Sequence, residues 1–185
     1  MRKSTLTLFY TSLLCILMAG CSYAVKDKDL VKSSYVAADY LLKGIKDIHN
    51  LKPRQNGVYS RQPILVASFV NIDNLQQSST FGRMVAEQIG SRIAQRGYKV
   101  IEMKLRTSTV FVQKQTGELL LSRELREISL QHDAYAVVVG TYGASKEIVY
   151  VTAKLVRTED SVILSSYDYR LPVGADTKQM LRKRR

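Results

Sequence analysis

Cysteine is almost missing from this sequence. Its 185 residues contain Cys15 and Cys21 and none beyond. That excludes a disulfide framework or a cysteine-rich metal centre in the body of the chain. A Cys15–Cys21 bridge would require the N-terminal segment to be retained. Histidine is equally scarce: His49 and His132 lie far apart, and neither has a metal-ligand companion three or four positions on. Each reads as a helix-end cation or an exposed side chain, and no metal site is expected. Tryptophan is absent, although there are 11 tyrosines. Internal repeats and low-complexity tracts are lacking too. The longest clearly apolar run, Leu6–Ala19, falls short of the ~20 residues that cross a bilayer as a helix. Acidic residues are missing from the C-terminal end, where Lys178, Arg182, Lys183, Arg184 and Arg185 crowd the last eight positions.

A 45% hydrophobic content and this length fit one domain with its own core. The net charge is +12. A basic tail on a mildly basic body reads in two ways: a solvated, disordered end, or a contact for an anionic partner such as lipid headgroups or a wall polymer. The residues for such a contact are Arg182, Lys183, Arg184 and Arg185.

The N-terminus points to a compartment. Arg2 and Lys3 precede Leu6–Ala19, and the small residues Ala19 and Gly20 lead into Cys21. Charge, apolar run and small-residue exit make a signal peptide. "LMAGC" resembles the lipobox of bacterial lipoproteins, with Met18 where Leu is commonest. The resemblance implies cleavage between Gly20 and Cys21, a diacylglycerol on the Cys21 thiol and an acyl chain (palmitate or similar) on its new amino group. It also implies the outer membrane, because Ser22 rather than Asp follows the cysteine. Two acyl signals anchor stably where one does not. The tether from Ser22 to Asp29 would reach roughly 25 Å if extended. No other cofactor is expected.

Along the rest of the chain, Val31, Tyr35, Ala38, Leu41, Leu42, Ile45 and Ile48 form a helical stripe over 30–49. Pro53 and Asn56-Gly57 close it. "ILVASFV" after Pro63 reads as a strand buried on both faces. A second helix is expected from Thr80 to Arg96, capped by Ser78 or Ser79. Its buried side is Phe81, Val85, Ile89 and Ile93 with Met84, Ala86 and Ala94, and Gly97 ends it. "YKVIEMK" follows as a strand, completing a βαβ unit with a parallel pair. "STVFVQ" reads as an edge strand, Thr116-Gly117 as a turn, and 122–132 as a third helix. "AYAVVVGTYG" is a further buried strand and "GTYGASK" a hairpin turn. "EIVYVTAKLV" and "SVILSSYDYRL" alternate about a short loop, which predicts a β-hairpin. The expected fold is α/β (α+β): one domain, a mixed β-sheet with helices packed on it, ending in that hairpin. The expected divisions are signal peptide 1–20, lipidated cysteine and tether 21–29, domain 30–177 and basic tail 178–185.

No catalytic constellation emerges. Ser122, His132 and Asp133 spell a triad only on paper, without the strand–elbow–helix motif that exposes a nucleophilic serine. Glu87, Glu102 and Glu118 are carboxylates that solvated surface explains. Tyr167 and Tyr169 share one strand face, where they either stack ligand rings or pack across strands. The RNA-binding aromatic signature is absent and the export signal removes that substrate, so no nucleic acid partner is expected.

Several segments together resemble one family. They are "ADYLLKGI", "ILVASFVNIDN", "SSTFGRMVAEQIGSRIAQRGYKVIEMKLR", "TGELLLSRELREI" and "AVVVGTYG", then "VYVTAKLVRTEDSVILSSYDY". From Tyr35 to about Arg182 the chain resembles the FlgO family of flagellum-associated outer-membrane lipoproteins. More distantly it is similar to the domain shared by the N-terminal part of TolB, the curli secretion lipoprotein and a lipoprotein activator of peptidoglycan synthases. The resemblance implies a non-enzymatic structural or assembly component of the flagellar basal body, needed for motility and held on the periplasmic face of the outer membrane. Implied partners are membrane lipid, basal-body or ring proteins and further copies of the chain. The alternative is a lipoprotein binding module that regulates a cell-wall enzyme or assists secretion.

Overall fold

Strand β1 (Ile64–Ala67) is buried at every position and lies inside the sheet. Its four residues are apolar because both of its faces are covered. In the computed structural model, which describes residues 25–45, 62–103, 111–113 and 119–182, β1 pairs in parallel with β3 (Val100–Met103) and with β6 (Ala136–Ala144). Strand β7 (Ile148–Arg157) pairs antiparallel with β6, and β8 (Ile163–Pro172) antiparallel with β7. The order is β3-β1-β6-β7-β8, with the short β2 (Val70–Asn71) added beside β6. β4 (Phe111–Gln113) and β5 (Leu119–Leu121) make a separate antiparallel pair. The fold is mixed α+β, as expected.

Four helices occur among the described residues: α1 (Leu30–Lys43), α2 (Thr80–Gln95), α3 (Arg123–Gln131) and α4 (Ala175–Leu181). Helices α1 and α2 pack on one sheet face. Phe81, Val85, Ile89 and Ile93 of α2 are fully buried, as are Val149, Ala153 and Leu155 of β7. Helix α3 packs on the other face, where Leu125 shares a buried cluster with Leu65 and Ala67 of β1, Met103 of β3, Val137 and Val139 of β6 and Val156 of β7. Side-chain caps start three helices. The Asp29 carboxylate accepts from Lys32 N–H, the Ser79 hydroxyl from Gly82 N–H and the Ser122 hydroxyl from Leu125 N–H.

The structure departs from the sequence reading in five places. The stripe of α1 is rotated: Ser34, Ala37, Ala38, Leu41 and Leu42 are buried, while Val31 is exposed and Tyr35 half-buried. Small residues win because α1 lies close against α2, where the Ser34 hydroxyl donates to Gln88 Oε1 at 2.9 Å. Ala94 of α2 is exposed, and Gly82 and Gly90 take part in its buried side instead. "ILVASFV" is two strands rather than one, broken at Ser68-Phe69. The Phe69 ring turns onto Gly140, whose added Cβ would come within 2.1 Å of it. Strand β6 runs through "GTYGA" to Ala144, so the hairpin turn starts only at Ser145, whose N–H donates to Ile148 O. Finally, β7 and β8 form the expected hairpin, but a helix follows it. Helix α4 follows β8 and spans the boundary expected at 177/178, and its Met180 and Leu181 pack on the core. Lys178 therefore belongs to a folded helix and not to a disordered tail.

Candidate functional site

The segment after Cys21 is fastened to the domain. Helix α4 begins at Gly174, which has no side chain with which to cap it. The Asp27 carboxylate takes that role from across the molecule, accepting from the N–H groups of Gly174 (3.0 Å), Asp176 (2.9 Å) and Thr177 (3.2 Å). A Cβ at position 174 would fall 2.4 Å from Asp27 Cγ, so glycine is required for this approach. Burial alone would raise the Asp27 carboxyl. Hydrogen bonds from the Thr177 hydroxyl and from the backbone of Asp176, Thr177 and Gly174 outweigh it and lower the pKa. Two residues on, Asp29 caps α1. The stretch before α1 is thus pinned at Asp27 and Asp29.

A second feature is a sheet face left open. Beyond the reach of α3, strands β7 and β8 present Tyr150, Thr152 and Lys154 in register with Arg170, Asp168 and Ser166. Tyr150 is 54% exposed, and Ser166, Asp168 and Arg170 are all exposed. Beside them a cavity of about 250 Å³ is lined by Ile72, Asp73, Thr141, Ser145, Tyr150 and Thr152. The surface combines hydroxyls, one aromatic ring and charges of both signs, a mixture suited to docking against another polar surface.

The opposite side of β8 is occupied. Tyr167 stacks on Tyr40 of α1 (centroids 4.5 Å apart) and on Tyr169 (5.9 Å). The two β8 tyrosines therefore pack within the protein. Burial raises the Tyr169 phenol. Asp39 of α1 holds both Arg96 (2.8 Å) and Arg92 (2.9 Å) of α2 through paired contacts. Hydrogen bonds from Arg96 and then Arg92 hold its carboxyl well below the usual carboxylate range.

The expected site residues divide into those described and those outside. Gly20, Cys21, His49, Glu118, Lys183, Arg184 and Arg185 lie outside the described residues. Arg182 is exposed at the end of α4. Ser122 is buried and spent on capping α3, while His132 is exposed at the other end of that helix, ~15 Å away by helical rise. The Asp133 carboxylate accepts from Gln62 Nε2. These three do not come together. Glu87 and Glu102 do, on the rim of a cavity of about 70 Å³ beside Arg83, which has room for a few waters and no more. Among the described residues no helix is long and apolar enough to cross a membrane.

A model of the FlgO family, described as FlgO protein, matches residues 35–176. The chain belongs to the FlgO family. That membership supports a lipoprotein of the cell envelope from a flagellum-associated family. A comparison with curated proteins gave no match. Similar solved structures include the LpoB C-terminal domain from Salmonella enterica, with 14% identity, a TM-score of 0.45, and coverage of 74% of this chain and 96% of that one. The LpoB C-terminal domain from Escherichia coli has 15% identity, a TM-score of 0.45, and coverage of 80% and 100%. Lipoprotein GNA1162 from Neisseria meningitidis has 17% identity, a TM-score of 0.39, and coverage of 63% and 83%.

Asp27, Gly174 and Asp39 are the residues that sequence reasoning missed. One signal was available for the first pair. "VGADTKQML" is a helical stretch preceded by Gly rather than Ser, Thr, Asp or Asn, which leaves the cap to be supplied from elsewhere.

Proposed function

We propose that this FlgO-family chain is lipidated on Cys21, sits on the periplasmic face of the outer membrane, and acts there as a structural or assembly component of the flagellar basal body. The observation that carries the reading is the family match across 35–176. It is supported by the lipobox before Cys21 and by a tether that Asp27 fastens to the body, which keeps the domain within a short distance of its anchor. The basic end fits the same reading. Helix α4 starts at the Asp27 clamp and is only ~10 Å long. Arg182 therefore follows within about two helical turns of the clamp, with Lys183, Arg184 and Arg185 next in sequence. Each cation near an anionic surface contributes about 1 kcal/mol and is screened by salt.

Deleting the gene, and separately replacing Cys21→Ala, tests the proposal by swimming assays and imaging of isolated basal bodies. Expected are impaired motility, basal bodies altered at the outer membrane, and loss of the variant from the membrane fraction. Unaltered swimming with intact basal bodies would sink the flagellar role. A crosslinking pull-down that returns wall synthases and no ring component would replace it with regulation of a cell-wall enzyme.

A further inference from the structure

The two edges of the main sheet differ. Among the described residues neither end strand has an outer partner: β3 has 4 residues, while β8 has 10. Long free edges are ordinarily blunted, because their unpaired N–H and C=O groups accept another strand. On β8 the direction of those groups follows from the register. Val173 N–H donates to Glu147 O, and Leu171, Tyr169 and Tyr167 face Val149, Val151 and Ala153 at two-residue intervals. Hydrogen-bonded pairs alternate in an antiparallel ladder. Residues 167, 169, 171 and 173 therefore bond to β7, and the backbone groups of Ser166, Asp168 and Arg170 point outward. The side chains of these three residues are exposed on the open sheet face. Pro172 has no N–H to offer and limits the ladder at that end.

The charges on this edge are self-complementary. Asp168 and Arg170 are two residues apart on the same face, and among the described residues neither makes an ion pair. An edge protected by charge alone would repel a copy of itself in any register. An antiparallel pairing centred on Tyr169 instead sets Asp168 of each chain opposite Arg170 of the other, in hydrogen-bonded positions with both side chains on one side. Shifting the centre to Asp168 would set Asp168 against Asp168, so the charges also select the register. On the opposite side, the stack Tyr40–Tyr167–Tyr169 runs up to this edge, and the two-fold axis would bring Tyr169 against its own counterpart.

From this geometry we propose that β8 is the contact surface for a second copy of this chain, in a two-fold antiparallel pairing over residues 166–172 that joins the two sheets. The interface is isologous and closes as a dimer. Its ladder of about six backbone hydrogen bonds is short, so association depends on concentration. This contact does not depend on the lipid anchor or on the flagellar role.

Sedimentation velocity of the full chain in density-matched detergent, across a concentration series, tests it. The wild type should pass from monomer to dimer. Asp168→Arg and Arg170→Asp, each placing two like-charged pairs across the seam, should weaken the dimer at least tenfold, and the double variant should restore it. Far-UV circular dichroism establishes that each variant is folded; for one that is not, Asp168→Asn and Arg170→Gln serve in its place, with a smaller loss. A wild type that stays monomeric, a dimer indifferent to the single changes, a double variant without recovery, or open-ended growth instead of dimers would each overturn the proposal.

Discussion

The Asp27 carboxylate lies 3.0 Å from the backbone nitrogen of Gly174, across 147 positions of sequence, and caps a helix that cannot cap itself. A cap supplied by a distant residue couples two segments that would otherwise fray independently, since chain ends are poorly ordered unless tied down.

Removing this cap should loosen both segments together. Asp27→Ala should cost about 1 kcal/mol, the usual range for a lost N-cap, read as a lower urea midpoint. Gly174→Ala should cost a similar amount, because the added methyl displaces the carboxylate. The double variant should lose little more than either single one, since both remove one interaction. Additive losses would show that the two residues act separately. Faster tryptic cleavage at Lys26 and Lys28 in each variant is the local readout.

The Asp39 pair with Arg96 and Arg92 makes stability depend on acid. The folded carboxyl titrates below its unfolded value, so its contribution is complete above the ordinary carboxylate pKa and fades as pH falls toward the folded one. Asp39→Asn should therefore be less stable at neutral pH by about 1 kcal/mol or less, because the pair is partly solvated. The gap to wild type should narrow steadily below about pH 4, the usual start of carboxylate titration, in urea melts across that range. A gap that stays constant to pH 2 would show the ion pairs to be idle.

Gly140 and Phe69 offer a packing test. Gly140→Ala should cost about 1–3 kcal/mol as an overpacked core position, with the ring displaced from the kink between β1 and β2. Pairing it with Phe69→Leu should recover part of that loss. Thermal unfolding of the three variants measures the coupling.

Much of the fold could be read in the sequence because local chemistry and tertiary demand agree there. Phe81, Val85, Ile89 and Ile93 fall three or four apart and are all buried. Val149, Val151, Ala153 and Leu155 alternate and likewise line the core. Ser79, one of the two serines expected to cap α2, does so. What could not be read depended on partners distant in sequence. The buried side of α1 differs from its apolar stripe because Ser34 is buried against Gln88, and no periodicity rule counts serine as a core residue. The kink at Phe69 depends on Gly140, and the start of α4 depends on Asp27. The basic run reads as a tail because its charge dominates the composition, yet Met180 and Leu181 pack against the core. Glu87 and Glu102, distant in sequence, are placed by a helix and a strand on one rim, around too little space for a substrate.

The clamp also determines where mechanical load enters the domain. Six residues from Cys21 onward precede Asp27 and span at most roughly 20 Å. A pull on that segment is delivered first to the junction of β8 and α4, through three short hydrogen bonds, and from there to the 10-residue strand β8. Helix α1 is shielded until the clamp yields. In a protein drawn against its surroundings, the carboxylate of Asp27 would be the first link to part, and Gly174 sets how closely that link can be made.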